Sequence, residues 1–225
     1  MLCGQGVIAI WNGILEEVRA DFYAWHTSEH MPERIGIPGF LRGRRYRAID
    51  RTTHPEFFTL YELESLEVAT GQDYLNRLNA PTPWTTKVTA AFRDTSRGLA
   101  RVLATAGPGP GGALATVRFA VPNSGVSSVR TVVQDLTYEI CRLPMITGAH
   151  IAVSSARASN VRTVENETRT DIQAPPHWFA LIEACASEAL DEPVRLFANL
   201  ECVLRPIVGR YVIEYSRLKT DRAPG

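Results

Sequence analysis

The sequence predicts an α+β fold built from two tandem ferredoxin-like halves, each with the element order β-α-β-β-α-β. Three observations carry this expectation. The segment Gly107-Pro-Gly-Pro-Gly-Gly112 lies near the midpoint of the 225 residues and offers no side chain able to pack, so it reads as a linker. The same succession of strand-like and helix-like patterns occurs on both sides of it. In that topology both helices cover one face of a four-stranded antiparallel sheet, so each half is left with a bare face to bury against the other. The halves are residues 1–106 and 113–225, joined by 107–112.

The elements follow in matched pairs. Val7 to Trp11 and Ala115 to Val121 are strand-like, and Leu15 to His30 and Val126 to Arg142 are helical in period. Pro32 disfavours helix at Met31, which is where the first helix is expected to stop. Ile37-Pro-Gly39 and Ile146-Thr-Gly148 each open a second strand, and Phe58 to Glu62 stands opposite Phe179 to Glu183. Helices near Leu66 to Leu78 and Glu188 to Leu200 lead into closing strands at Gly98 to Thr105 and Gly209 to Ser216. Half one adds a short helix with Thr82 as N-cap and Pro83 at its first position. Half two instead lengthens its hairpin, and Arg157 to Ala174 reads as a polar, mobile excursion.

Composition narrows the function. A chain that is 45% hydrophobic and 21% charged can bury a sizeable core. The 24 basic and 24 acidic residues cancel, which removes long-range attraction to nucleic acid or an anionic membrane and leaves a small molecule as the expected partner. No apolar run is long enough to span a bilayer, and Met1-Leu2-Cys3-Gly4-Gln5 lacks a basic leader, so a cytoplasmic location is expected. Cys3, Cys141, Cys185 and Cys202 show no Cys-x-x-Cys spacing, which argues against a disulfide scaffold or a zinc knuckle and for reduced, mostly buried thiols, and no metal is expected. Gly107, Gly109 and Gly112 satisfy G-x-G-x-x-G, but a strand follows where that fingerprint needs a helix. Lys87 and Lys219 are the only lysines, so an anion in a site would meet arginine.

The one dense cluster of titratable and aromatic residues is Phe22-Tyr-Ala-Trp25-His26-Thr-Ser-Glu29-His30-Met-Pro32-Glu-Arg34. At 100° per residue Leu15, Val18, Phe22 and Trp25 form the buried stripe, with Glu29 near its centre, His26 within it and His30 at its edge. Three readings compete. His26-Thr-Ser-Glu29-His30 fits the H-x-x-E-H pattern of a zinc peptidase, but no third ligand can be chosen and the helix breaks at Pro32. The histidines could instead be satisfied polar groups at a helix end. Or they act as general acid and base in a pocket between helix and sheet. The offset of 109 that aligns Gly39 with Gly148 places Asp135, Tyr138 and Glu139 opposite His26, Glu29 and His30, which favours a function confined to half one.

Elsewhere, Arg42-Gly-Arg44-Arg45-Tyr46-Arg47 reads as a solvated edge strand, with Arg45 the best candidate to recognise an anion. Glu62 and Glu183 are expected to mark strand ends, and Trp11, Trp84 and Trp178 to serve as core or lid residues.

Trp25-His-Thr-Ser-Glu-His30-Met-Pro32-Glu-Arg34, followed by Ile37-Pro-Gly-Phe40 and an Arg/Tyr-rich strand, resembles the helix-one signature of EthD-like proteins in the dimeric α/β-barrel superfamily. The resemblance implies that the two sheets close into an α/β barrel, here within one chain. It implies a monomer with a pseudo-dimeric barrel, compatible with a further homodimer. The family's histidine carries over to His30, with His26 as an additional candidate. The resemblance also implies a small-molecule enzyme without an organic cofactor, of isomerase, cyclase or dehydratase type. In it His30, tuned by Glu29 and His26, would move a proton on an apolar, carbonyl-bearing metabolite. Phe22, Trp25 and Tyr61 would wall the pocket and Arg45 would orient an anionic group. The alternative is a non-catalytic ligand-binding or stress-associated barrel protein, and the third reading is a haem enzyme with one of these histidines as axial ligand.

Overall fold

The structure, a computed structural model, describes residues 1–122, 125–161, 163–167 and 171–220. In the first half strands β1 (Gly6–Ile14), β2 (Phe40–Ala48), β3 (Phe57–Leu63) and β4 (Phe92–Ala106) pair in the order β4-β1-β3-β2. In the second half β5 (Ala113–Ala120), β6 (Ile146–Ser154), β8 (Trp178–Ala184) and β9 (Leu204–Leu218) pair in the corresponding order β9-β5-β8-β6. The two arcs then join at their edges, β2 to β9 and β4 to β6, both antiparallel. Among the described residues eight strands thus close into a barrel, and the two-residue β7 (Ile172–Gln173) adds to β4 in parallel.

Closure turns the bare sheet faces into the barrel interior. Side chains alternate along each strand, so Val7, Ala9 and Trp11, then Phe58 and Leu60, then Phe179 and Leu181 point inward and pack with Tyr46 and Tyr211. The helices lie outside. In half two α5 (Val126–Ile140) and α8 (Asp191–Ala198) cover the sheet through an apolar layer that includes Val129, Val133, Ile140, Val194 and Phe197. In half one the outer layer is built from two apolar clusters that meet near the histidines.

The first helix does not stop at Met31. It runs as α1 (Arg19–Trp25), a five-residue π-helical turn (His26–His30) and α2 (Met31–Gly36). The Met31 N–H reaches back to the His26 carbonyl, an i→i+5 bond. That wider turn accommodates Pro32, whose ring would clash with the carbonyl four residues earlier in an uninterrupted α-helix. The short α2 is held at its C-terminus by Lys219, whose ammonium donates to the carbonyls of Ile35, Gly36 and Ile37 at 2.7, 2.8 and 2.9 Å, the favourable end of the helix dipole for a cation. Gly43 lets α2 approach β2, because a Cβ there would lie 2.1 Å from Met31 Sδ.

The remaining elements of half one are α3 (Gln72–Asn79) and α4 (Pro83–Thr89), the latter capped by Thr82, whose Oγ1 accepts from the Thr85 N–H at 3.0 Å. Three further sequence expectations are corrected. The cysteines are not mostly buried: Cys3 and Cys185 are exposed, and Cys141 and Cys202 are half-buried. The arginine-rich β2 is no edge strand, since it pairs with β3 on one side and β9 on the other. Alternation sends Arg42 and Arg44 into the barrel and Arg45 outward beneath the π turn, all three buried. The excursion at 157–174 is not simply solvated: it forms α6 (Ala156–Ser159) and α7 (Val164–Glu167), and Glu165 is buried in an ion pair with Arg34 of α2. Residues 162 and 168–170 of it lie outside the described residues. Among the described residues no helix is long and apolar enough to cross a membrane.

Candidate functional site

The π turn decides which side chains face the sheet. On a regular α-helix Glu29 would sit centrally and His30 at the margin; in the wider turn His30 rotates inward and stacks on Trp25, five residues earlier, with ring centroids 4.2 Å apart. His26 and His30 come onto one face, 5.6 Å between ring centroids, and both are buried. Phe22 lies 5.5 Å from His26, and Tyr61 of β3 lies 6.5 Å from His30. His26, His30, Phe22, Trp25, Tyr61 and Arg45 are therefore one constellation between the first helix and the outer sheet face. Glu29 is not part of it. It is half-buried and points to α4, where its Oε1 accepts from Thr82 Oγ1 at 2.6 Å and Thr85 Oγ1 at 3.4 Å. Trp25 Nε1 donates to the same Thr85 at 3.1 Å.

Arg45 fixes the state of His26. Its Nη1 lies 3.4 Å from His26 Nδ1 and 3.1 Å from Thr27 Oγ1, its Nε donates to Glu214 at 3.2 Å, and its guanidinium stacks 4.8 Å from the Tyr23 ring centre. A guanidinium has donors only, so Nδ1 is the acceptor and the imidazole proton sits on Nε2. Burial, followed by the charges of Arg45 and Arg34, holds the His26 pKa well below its ordinary value. The ring is neutral at pH 7. Arg45 is thus occupied in orienting His26 and holding Glu214, which leaves the anion-binding role expected for it without a direct counterpart.

A stability consequence follows. Below about pH 6.5 an unfolded His26 takes up a proton that the folded one refuses, so its contribution is complete above that pH and is lost as pH falls, at up to about 1.4 kcal/mol per pH unit. Urea unfolding at pH 7.5 and 5.5 is expected to show this decline, and His26→Gln should make it shallower. An unchanged slope in the variant would mean that His26 is charged in the fold.

A second buried constellation fills one end of the barrel, and sequence reasoning missed it. Glu62 of β3 receives Arg42 Nε at 2.7 Å, Arg44 Nη2 at 3.0 Å and the Cys3 N–H at 2.7 Å. Glu183 of β8 receives Arg44 Nη1 at 2.7 Å and the Gly111 N–H at 2.9 Å, and lies 3.2 Å from His150 Nε2. The two glutamates do not simply mark strand ends. They face each other across the barrel with Arg44 between them. The available signal was their shared inward parity with Phe58, Leu60, Phe179 and Leu181. Trp11 and Trp178 are core residues, as expected, and Trp84 packs in the outer layer with its Nε1 donating to Asp21 at 2.8 Å.

Half two repeats none of the first constellation. Asp135, Tyr138 and Glu139 are all exposed on a regular α-helix, and the layer beneath α5 is apolar. Among the described residues no group of three or more His, Cys, Asp or Glu side chains could hold a metal ion.

Fold and site together define a ferredoxin-like α/β-barrel protein with one polar, aromatic helix–sheet cluster. Solved structures share that fold. An anthrone oxidase-like protein matches with a TM-score of 0.62 at 11% identity, over 96% of this chain and 93% of that one. A candidate monooxygenase from Lactobacillus acidophilus NCFM matches at 0.58 and 11% identity, over 96% and 97%. A mutant chlorite dismutase from Candidatus Nitrospira defluvii, in complex with cyanide, matches at 0.52 and 7% identity, over 93% and 90%. At these identities the likeness is one of fold. No protein-family model and no curated protein matches the sequence.

Proposed function

We propose that the helix–sheet cluster of half one is a small-molecule site and that the protein is an enzyme moving a proton on an apolar, ring-bearing or carbonyl-bearing substrate. The observation that carries this is the π turn, which puts two imidazoles on one buried face where the corresponding helix of the second half has neither histidine nor π turn. π turns inside α-helices are frequent at functional sites. In this reading His30 is the base, and the neutral His26 presents its Nε2–H as a hydrogen-bond donor to developing negative charge. Arg45 acts through His26 by fixing its tautomer, Phe22, Trp25 and Tyr61 form the apolar wall, and Glu29 anchors α4 instead of tuning His30. Proton removal beside a carbonyl gives an enolate, the first species in isomerisation, cyclisation or dehydration and one that dioxygen can attack. The names of the similar structures favour including that last outcome.

Haem fits this cluster poorly. An axial imidazole needs a free nitrogen lone pair, whereas His26 accepts at Nδ1 and is protonated at Nε2. His150 has Thr105 Oγ1 2.8 Å from Nδ1 and Glu183 at Nε2. His30 is flanked by the Trp25, His26 and Tyr61 rings at 4.2, 5.6 and 6.5 Å, and a porphyrin would displace them.

The test is turnover of anthrone and of a simple 1,3-diketone under air, followed by absorbance and oxygen uptake. His30→Gln is expected to lower the rate by about 10²- to 10⁴-fold, the usual weight of a general base, with the circular dichroism spectrum unchanged. Equal rates in both proteins would sink the proposal. Saturable binding without turnover would favour the alternative, a non-catalytic ligand-binding or stress-associated barrel protein.

A further inference from the structure

We propose that the end of the barrel around Arg118 is a ligand site separate from the histidine cluster, and that it takes a small carboxylate with an apolar body. A cavity of about 330 Å³ opens there, bounded by Arg118, Phe119, Pro175, Pro176, His177 and Arg205 among others, which is within the usual size range of small-molecule sites. Among the described residues no carboxylate lines it.

Arg118 is the centre of this site. It rises from β5 with its guanidinium 5.1 Å over the Trp11 ring. Arg42 and Arg44 at the other end of the barrel, and Arg45 outside it, each bond a glutamate. Among the described residues Arg118 has no such partner: its Nε is buried without an acceptor, and Nη2 makes a 3.4 Å contact to the His54 carbonyl. Arg118 is half-buried, and a cation partly withdrawn from water without counter-charge is unfavourable; burial lowers its pKa against the weaker opposing effect of the Tyr211 phenol. An anion entering the cavity relieves both defects, because the planar fork matches a carboxylate in bidentate geometry.

The rim completes the recognition. Arg205 is exposed at the start of β9 with φ +49, a left-handed conformation that a non-glycine residue holds at some strain. It supplies a second cation, and His177 a further donor. Phe119, both prolines and Ile207 are apolar, so they suit a hydrocarbon body behind the carboxylate and would leave a fully hydrated dianion poorly covered.

Isothermal titration of the full chain at constant ionic strength, with benzoate and separately with inorganic phosphate, tests this. Benzoate is expected to bind saturably at millimolar concentration or below, and phosphate at least tenfold more weakly. Arg118→Met should weaken benzoate at least tenfold and Arg205→Met a few-fold, with melting curves confirming that both variants fold. Should Arg118→Met fail to fold, the Arg118 Nε–H resonance of the unmodified protein must shift on adding benzoate. Absence of saturable benzoate binding, equal affinity in folded Arg118→Met, or an unmoved Nε–H resonance would overturn the site. Phosphate binding as tightly as benzoate would overturn the apolar-bodied ligand class.

Discussion

Replacing Arg44 by Met is expected to remove about 3–5 kcal/mol of folding stability at neutral pH, the range found when one partner of a buried ion pair is deleted and the other is left behind. Among the described residues Arg44 is the only cation that bonds both Glu62 and Glu183. Glu62 keeps Arg42 in the variant, but Glu183 keeps only His150 and a backbone N–H. Burial pushes the His150 pKa down, more than its hydrogen bond to Glu183 raises it, so that partner is neutral. The pH dependence gives the loss a signature. Burial alone would raise the Glu183 pKa, yet the hydrogen bond from His150 and the charge and hydrogen bonds of Arg44 hold it at about 2. Its contribution is therefore complete above the ordinary carboxylate range and lost as pH falls toward 2. Without Arg44 burial prevails and Glu183 is protonated at a higher pH, so the gap between wild type and variant should narrow between pH 7 and 4. Adding Glu183→Gln should recover part of the loss. Urea unfolding measures all three, and a loss under about 1 kcal/mol for Arg44→Met would mean that the carboxylates are not charged as the geometry implies.

Trp11→Ala is expected to cost about 3–5 kcal/mol by leaving a cavity at the barrel centre. Trp11 is fully buried, tilted against Phe58 at 4.9 Å and edge-on to Phe179 at 5.5 Å, and its Nε1 donates to Thr116 Oγ1 at 3.1 Å. These contacts link β1, β3, β5 and β8, so neither half can relax alone to fill the space. Trp11→Phe keeps most of the ring and loses the hydrogen bond, for an expected cost of about 1–2 kcal/mol. The difference in unfolding midpoint between the two variants separates packing from hydrogen bonding. Similar losses in both would assign most of the effect to the Thr116 contact.

Much of the architecture was legible because it is local. The linker glycines and prolines, the matched FTLYE and FALIE strands and the Thr82 cap each depend on a few neighbouring residues, and element order then gives the sheet order. What was not legible depends on distant pairing or on helix geometry. Arg42 and Arg44 looked like an exposed edge because nothing in the run itself shows that β2 pairs with β9, a strand about 170 positions away. Once it does, alternate side chains have only the barrel interior to enter. His26 and His30 were legible as a buried pair, but the role of Glu29 was not. A regular helical wheel assumes 3.6 residues per turn, and the π turn at the proline breaks that assumption where the two histidines lie.

The two seams of the barrel, β2 with β9 and β4 with β6, also bear on how such a site can evolve. A barrel assembled from two identical chains receives each substitution twice, so a buried histidine that suits one arc must be tolerated in the other. Here the arcs are encoded separately and tethered by six residues, and a change in one is invisible to its counterpart. One arc can hold destabilising polar chemistry while the other keeps an apolar layer that compensates for it. The division of labour between a polar half and an apolar one is a freedom that covalent closure gives to the genome.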